Sequence, residues 1–394
     1  MLPCHPRHPR IVFAGLSLSA LALGALAPPP VAGLPAYSRA GGPPCTSCHQ
    51  GFSALKPAGM KFLEHGDRFV EWQGRSPGVP RGLEVSAVVE LNGDASRSAR
   101  AMLSAPPMPD DHWRTSGRTD IAVHAVGGLG SRAAWHVEAR LPTRTDVLVA
   151  RTAFVQVRDL IPCGRLDFKA GEFLVPGAYL ALTRPARFAS LLTEESLPAR
   201  GVELHGEAGA WAYGAGLIHS RRRSAHVSAA SRVLGRLEDT YVWLMRDLGG
   251  QRVGAKMLFD RQDSSLPALA WLQHLQAQGS GRFAAGRLQL VPAYAFDRFD
   301  DRPAAGLHQR RQTAMLEATL PLDRGGHWSA TAFAEHDYTT RTVYSSEQDH
   351  HLEAVALAFA PRPGAEIALE WSDDANNAGG PQIDRLSAWL RLAF

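Results

Sequence analysis

A two-residue alternation of apolar and polar side chains runs through this sequence from Leu83 to Phe394, and few folds are compatible with it. Side chains that alternate with this period lie on opposite faces of a β-strand. In one clear example the apolar set is Trp135, Val137, Ala139 and Leu141, and the polar set is His136, Glu138 and Arg140. The pattern predicts sixteen strands, near residues 83–92, 120–127, 134–141, 152–159, 165–173, 201–207, 211–219, 239–247, 251–259, 268–277, 282–294, 312–320, 327–336, 351–359, 365–372 and 385–394.

The connections between these segments are alternately long and short. The predicted long ones are 93–119, 172–200, 220–237, 295–311, 337–350 and 373–384, and the short ones are 128–133, 208–210, 248–250, 278–281, 322–326 and 360–364. Strict alternation brings all long connections to one end of an antiparallel sheet. Outer-membrane barrels have this arrangement, with short periplasmic turns and long external loops. An even strand number also predicts both chain ends on the periplasmic side.

We therefore predict a mainly β fold, a transmembrane antiparallel β-barrel over residues 81–394 that contacts outer-membrane lipid. The apolar face of each strand would face lipid, and the charged face would line an aqueous lumen. The predicted lumenal charges include Glu90, Glu138, Arg140, Lys169, Lys256 and Glu317. A soluble β-sandwich or β-propeller is the alternative, but no linker divides 83–394 and no blade-length repeat is visible. The last strand, which ends on Phe394, resembles the assembly signal of bacterial outer-membrane proteins.

Residues 1–33 have the pattern of a secretory signal peptide. Two arginines precede the apolar run 11–27, and residues 31–33 supply small side chains for cleavage. A transmembrane anchor is the alternative, but the run is slightly short, is followed by three prolines and lacks a stop-transfer pattern. Cys4 precedes the apolar run, so we expect cleavage to remove it.

Residues 45–49 have the sequence Cys-Thr-Ser-Cys-His, the C-x-x-C-H attachment motif of c-type haem. The thiols of Cys45 and Cys48 lie on one face of a helical turn and can add to the two vinyl groups of one porphyrin. His49 can then bind the iron from the same side. A thioredoxin-like pair would need a βαβ context, and half of a zinc site would need another Cys/His pair; both are missing. The motif predicts one covalent haem c, attached outside the cytoplasm.

The sixth iron ligand is left open between His65, which we favour, Met60, and no strong protein ligand or another residue. A Met ligand would raise the reduction potential relative to a second His. The apolar residues Phe52, Leu55, Phe62 and Phe69 are expected to pack around the porphyrin. Residues 34–80 are too few to fold well alone, so the haem would supply much of the core of a small α-helical cytochrome domain.

Composition limits the remaining possibilities. A hydrophobic content of 45% and a charged content of 20% exclude a disordered chain. The net charge is +4 and no long basic run is present, so no nucleic-acid partner is expected. If Cys45 and Cys48 hold haem, Cys163 stays unpaired in a predicted periplasmic link, and an inert thiol is favoured over a redox role.

The order of these parts resembles the fused monohaem cytochrome–porins of the bacterial outer membrane, typified by outer-membrane Fe(II) oxidases. The residues that carry the resemblance are Pro35, Ala36, Tyr37, Ser38, Arg39, Gly42, Cys45, Thr46, Ser47, Cys48, His49, Leu55, Pro57, Gly59, Lys61, Phe62 and Gly66. The stretch 65–67 and Ser38 depart from the family pattern.

The resemblance implies extracellular electron transfer. An external reductant, with Fe(II) as the first candidate, would give one electron to the haem, and a periplasmic cytochrome would collect it. The chain would then be a possible Fe(II):cytochrome c oxidoreductase. Acidic and histidine clusters in predicted external loops, at 110–112, 300–301, 347–351 and 373–374, could bind Fe(II) weakly, although ordinary solvated loops are the alternative. Another donor, outward electron flow, or a channel with a structural or sensory haem plug are competing functions.

Overall fold

The structure is a computed structural model that describes residues 83–98, 114–129, 132–142, 149–161, 165–175, 198–220, 239–249, 251–262, 271–302, 308–324, 327–341, 346–362, 365–376 and 383–393. The predicted signal peptide and haem domain, with Cys45, Cys48, His49, Met60 and His65, lie outside the described residues. Cys163 lies outside them as well. Within the described ranges, no helix has the length and hydropathy needed to cross a membrane.

The described residues form sixteen antiparallel strands that close into one barrel, as the alternation predicts. The strands are β1 (Leu83–Ser98), β2 (Arg114–Gly128), β3 (Ala133–Pro142), β4 (Val149–Val157), β5 (Arg165–Leu174), β6 (Pro198–Ala208), β7 (Trp211–Ser220), β8 (Asp239–Asp247), β9 (Arg252–Gln262), β10 (Trp271–Ala285), β11 (Leu288–Arg302), β12 (His308–Pro321), β13 (Trp328–Arg341), β14 (Ser346–Arg362), β15 (Ala365–Asn376) and β16 (Ile383–Ala393). Each strand pairs with its neighbours in sequence, and β1 pairs with β16 to close the barrel.

Burial alternates along the strands because successive side chains point to opposite sides of the barrel wall. In β8 the residues Tyr241 and Trp243 are buried, whereas Val242 and Leu244 between them are exposed. The outward face is rich in exposed large apolar side chains, among them Val85, Leu217, Met257, Leu316, Val355, Leu357 and Leu369. An apolar surface that runs around the whole barrel is unfavourable in water and suits contact with lipid.

The inward face carries the charged residues that the alternation assigned to it. Glu138, Lys169, Lys256 and Glu317 are all buried on the concave side of the wall, where curvature crowds the side chains together. Glu90 on β1 accepts a hydrogen bond of 2.8 Å from Nε of Arg391 on β16, so an ion pair spans the closing pair of strands. The side chain of Arg140 lies outside the described part of the chain.

The predicted boundary between the tenth and eleventh strands is wrong. Residues 278–281 contain glycine and serine and were expected to form the short link, but β10 continues through them to Ala285. The turn lies at Gly286, whose φ of 62° is in the left-handed region that glycine adopts easily. Glycine inside a strand often marks a close approach, and a Cβ on Gly281 would lie 2.5 Å from the ring of Phe283.

The strict alternation of long and short connections is also wrong in the second half of the barrel. The predicted connections 295–311, 337–350 and 373–384 shorten to 303–307, 342–345 and 377–382, because β11 to β16 extend into them. The extensions carry polar side chains on both faces, so the alternation of apolar and polar residues ends there. Backbone pairing nevertheless continues, and Thr340 of β13 still pairs with Glu347 of β14. We call the end with the connections 99–113, 175–197, 221–238 and 342–345 the loop end, and the opposite end the turn end.

Candidate functional site on the inner wall of the barrel

The structure places most predicted cluster residues in strands. Asp300 and Asp301 belong to β11, residues 347–351 belong to β14, and residues 373–374 belong to β15, so the prediction that these three clusters lie in loops is wrong. The cluster 110–112 lies outside the described residues. Among the residues that the structure describes, a network of other buried polar side chains on the inner wall is centred on Glu203 of β6.

One carboxylate oxygen of Glu203 accepts two hydrogen bonds from aromatic side chains of β8. The hydroxyl of Tyr241 donates to Oε2 over 2.5 Å, and Nε1 of Trp243 donates to the same atom over 3.2 Å. All three side chains are at most 3% exposed. Hydrogen bonds to a buried charge are stronger than those between neutral groups, so this contact fixes β8 relative to β6.

The second carboxylate oxygen of Glu203 faces two basic side chains. Nδ1 of His205 lies 3.1 Å from Oε1, and Nζ of Lys169 on β5 lies 3.8 Å from it. The Lys169 ammonium also lies over the rings of Phe154 and Phe173, at 5.0 and 5.4 Å from their centroids. A cation held between a carboxylate and two aromatic faces is stabilised although water is largely excluded from it.

The network continues towards the turn end through Asp167. Nε2 of Gln156 donates to Oδ2 of Asp167 over 3.1 Å, and Nε2 of His205 lies 3.8 Å from the same oxygen. The other oxygen of Asp167 accepts a hydrogen bond of 2.9 Å from the backbone N–H of Asp159, which follows β4. Two acids and two basic side chains of β5 and β6 therefore lie in one network, which Gln156 of β4 and the aromatic side chains of β8 join.

Two glycines of β7 allow this network to form. Strand pairing places Gly216 between Glu203 and Tyr241, and Gly214 between His205 and Trp243. A Cβ on Gly216 would lie 2.4 Å from Cε1 of Tyr241, and a Cβ on Gly214 would lie 2.4 Å from Nε1 of Trp243. The aromatic rings thus lie across β7 and reach an acid two strands away.

Sequence patterns identify these residues only in part. The alternation predicts Lys169 on the inner face, but nothing local indicates that Tyr241 contacts Glu203 across an intervening strand. The register of β6, β7 and β8 decides that contact. In chemical terms the network is a buried patch on the inner wall that contains acidic, basic and aromatic side chains.

No family model matches the chain, and no curated protein matches it. Three solved structures, one of them a porin, are each similar over 79% of this chain. OmpT expressed in the outer membrane of Vibrio cholerae has a TM-score of 0.59 at 11% identity, with 98% of that chain covered. The anion-selective porin from Comamonas acidovorans has a TM-score of 0.58 at 12% identity, with 99% of that chain covered. OmpF of Salmonella typhi, solved with daunomycin, has a TM-score of 0.58 at 10% identity, with 98% of that chain covered. The chain has the fold of the outer-membrane porins.

Proposed function

We propose that this chain is an outer-membrane cytochrome–porin that transfers electrons from an extracellular donor, Fe(II) first among them, to a periplasmic cytochrome. The observation that carries the proposal is the C-x-x-C-H motif at 45–49 in a chain whose later residues form a porin-like barrel. The apolar outward face supports a position in the outer membrane, and the proposal puts both chain ends on the periplasmic side because the strand number is even.

The donor set at 45–49 fits a covalent haem c. Two thiols three residues apart can each hold one vinyl carbon, and the imidazole of His49 can serve as proximal ligand. When bound, the haem supplies one-electron chemistry, so each Fe²⁺ oxidised to Fe³⁺ would deliver one electron for onward transfer. The protein's own part would be to hold the haem through Cys45, Cys48 and His49 in a chain whose barrel spans the outer membrane.

Haem attachment is tested on the full chain made in a host that matures c-type cytochromes. The wild type is expected to keep haem through denaturing electrophoresis, and the double variant Cys45→Ala/Cys48→Ala is expected to lose it. Cys163→Ala is the matched control, because Cys163 has no role in the proposed attachment and its loss leaves the haem bound. Haem that stays bound in the double variant contradicts the proposal.

The electron donor is tested by adding Fe²⁺ to the oxidised protein and following the haem absorbance. Reduction by Fe²⁺, followed by reoxidation with a periplasmic-type cytochrome c, is the expected result. No reduction at any pH from 3 to 7 rules out Fe(II) as donor. The variants His65→Ala and Met60→Ala separate the two distal candidates, since only loss of the true ligand changes the low-spin haem spectrum.

The porin fold itself favours a second candidate, a channel whose haem is a structural or sensory plug. Protein reconstituted in liposomes separates the two functions. If small solutes pass through the protein and Fe²⁺ does not reduce the haem, the channel function is supported. Reduction by external Fe²⁺ without solute passage supports the electron conduit.

A further inference from the structure

Three potential metal ligands meet on the outward face of β13 and β14. His336 of β13 lies directly opposite His351 of β14, and Asp349 lies opposite Tyr338, two pairs further towards the loop end. The side chains of His336, Asp349 and His351 are 48%, 36% and 45% exposed, so solvent reaches each of them.

The ligand atoms of these residues lie close to one another. Nε2 of His336 is hydrogen-bonded to Oδ1 of Asp349, and Nε2 of His351 lies 3.5 Å from Oδ2 of the same carboxylate. The two imidazole rings stack with centroids 4.4 Å apart and planes 5° from parallel. One ligand atom from each residue lies within 4.8 Å of the other two, and no other such trio occurs among the residues that the structure describes.

The position of the cluster makes it accessible to ions. Trp328 marks the turn end of the outward face of β13, and His336 follows it by eight residues. With a rise of about 3.3 Å per residue and a tilt of about 40°, His336 lies about 20 Å above Trp328. Below it on β14 the outward face is apolar at Val355 and Leu357. The cluster therefore lies at the outer margin of the apolar band, where water is present.

We propose that His336, Asp349 and His351 bind a divalent transition-metal ion. Imidazole suits Zn²⁺, Cu²⁺, Ni²⁺ and Fe²⁺, whereas Mg²⁺ and Ca²⁺ prefer sites made wholly of oxygen. Metal–ligand distances of 2.0–2.2 Å in a tetrahedral site require ligand atoms about 3.4 Å apart, and the three ligand atoms here lie within 4.8 Å of one another before any side-chain adjustment. Two histidines and one carboxylate leave further positions on the ion for water.

The backbone prepares these residues for binding. Hydrogen-bonded pairing of β13 and β14 fixes the relative positions of the three Cα atoms, so binding orders only side chains that already share contacts with Asp349. The neighbouring His350 belongs to the other face of β14, where its Nε2 lies 2.7 Å from Oδ1 of Asp374. His350 is thus a histidine on the same strand that the site does not use.

The site is tested by calorimetric titration of Zn²⁺ into the purified full chain, prepared without a histidine tag and with a folded barrel confirmed by its heat-dependent electrophoretic mobility. We expect saturable binding of one ion by these residues and a loss of affinity of at least about tenfold in His336→Ala, Asp349→Asn and His351→Ala. His350→Ala is the control and should bind Zn²⁺ like the wild type.

Unchanged Zn²⁺ affinity in folded His351→Ala and His336→Ala, or an equal loss in His350→Ala, overturns the assignment. If one of these variants does not fold, His351→Gln keeps the size and polarity of the side chain, and it should lose the Zn²⁺-dependent rise in unfolding temperature. The proposal goes beyond electron transfer. The titration contains neither Fe²⁺ nor an electron acceptor, so failure of the proposed function leaves its outcome unaffected.

Discussion

At the scale of single residues, Glu203 determines how the inner wall is organised. It is 1% exposed and is surrounded by two hydrogen-bond donors and two basic groups. A carboxylate with so little solvent is tolerated only when its neighbours replace the lost hydration. Removing one neighbour therefore has a larger effect here than the same change on the outward face.

The change Tyr241→Phe removes the hydroxyl that donates to Glu203 and little else. We expect it to lower the free energy of unfolding by about 1.5–3 kcal/mol, the usual worth of a hydrogen bond to a charged group. Urea unfolding of the barrel in detergent measures the difference. Tyr294→Phe is the control, since the Tyr294 hydroxyl bonds to Gln312 at an exposed position and should matter much less. Equal effects of the two variants would contradict a special role for Glu203.

Asp323, in the turn between β12 and β13, should make the free energy of unfolding depend on pH. Its carboxylate accepts a hydrogen bond of 2.7 Å from the backbone N–H of Trp328, and further bonds come from His327; together they lower the pKa of Asp323 to about 2. Since the folded-state pKa lies below the unfolded value of about 3.9, the stabilisation is complete above that value and is lost as the pH falls towards 2.

The variant Asp323→Asn tests this effect. The difference in unfolding free energy between wild type and Asp323→Asn should be constant from pH 5 to 7 and should shrink between pH 4 and 2. Arg324→Gln, at the next position of the same turn, is the control because arginine does not titrate in this range. A difference that stays constant down to pH 2 would show that ionised Asp323 contributes nothing.

At the scale of strands, β7 acts as a spacer whose missing side chains admit the aromatic rings of β8. Gly216→Ala would place a methyl group 2.4 Å from the Tyr241 ring and displace it from Glu203. We expect a loss of about 1–3 kcal/mol in unfolding free energy, as for other overpacked sites. The control is Gly279→Ala in β10, where the nearest atom to the new Cβ is 4.0 Å away. A neutral Gly216→Ala variant would mean that the ring adapts without cost.

The same strands show how far sequence patterns predict the structure. Period-two alternation predicts the strands well where one face is apolar and the other polar, as in β3, where Trp135, Val137 and Ala139 alternate with His136 and Glu138. It is wrong about β10 and about the loop-end extensions, where glycine or two polar faces remove the alternation. The metal ligands show the same limit. Asp349 and His351 belong to a predicted cluster, but His336 joins them only through the register of β13 and β14.

At the scale of the whole molecule, the outward apolar band predicts how the barrel responds to an added charge. Val242 is 51% exposed on the outward face of β8. Val242→Arg should lower the stability of the barrel in a lipid bilayer by about 2–4 kcal/mol, the cost of arginine near the midplane. Thr240→Arg, two residues and about 5 Å nearer the loop end, should cost less, because this cost falls towards the interface. The measurement is urea unfolding of the barrel from lipid bilayers. Equal losses of unfolding free energy in the two variants would contradict contact between this face and hydrocarbon.

The closing pair of strands has a kinetic consequence. Arg391 and Glu90 are 301 residues apart in sequence, and every other neighbouring pair of strands is adjacent in the chain. The barrel closes when β1 and β16 meet, and the other fifteen strand pairs are local in sequence. Because β1 and β16 are so far apart in the chain, we expect this closing contact to form slowly. Until then β1 and β16 present unpaired edges that can add strands from other chains. During folding, this protein is therefore most prone to aggregation before β1 pairs with β16.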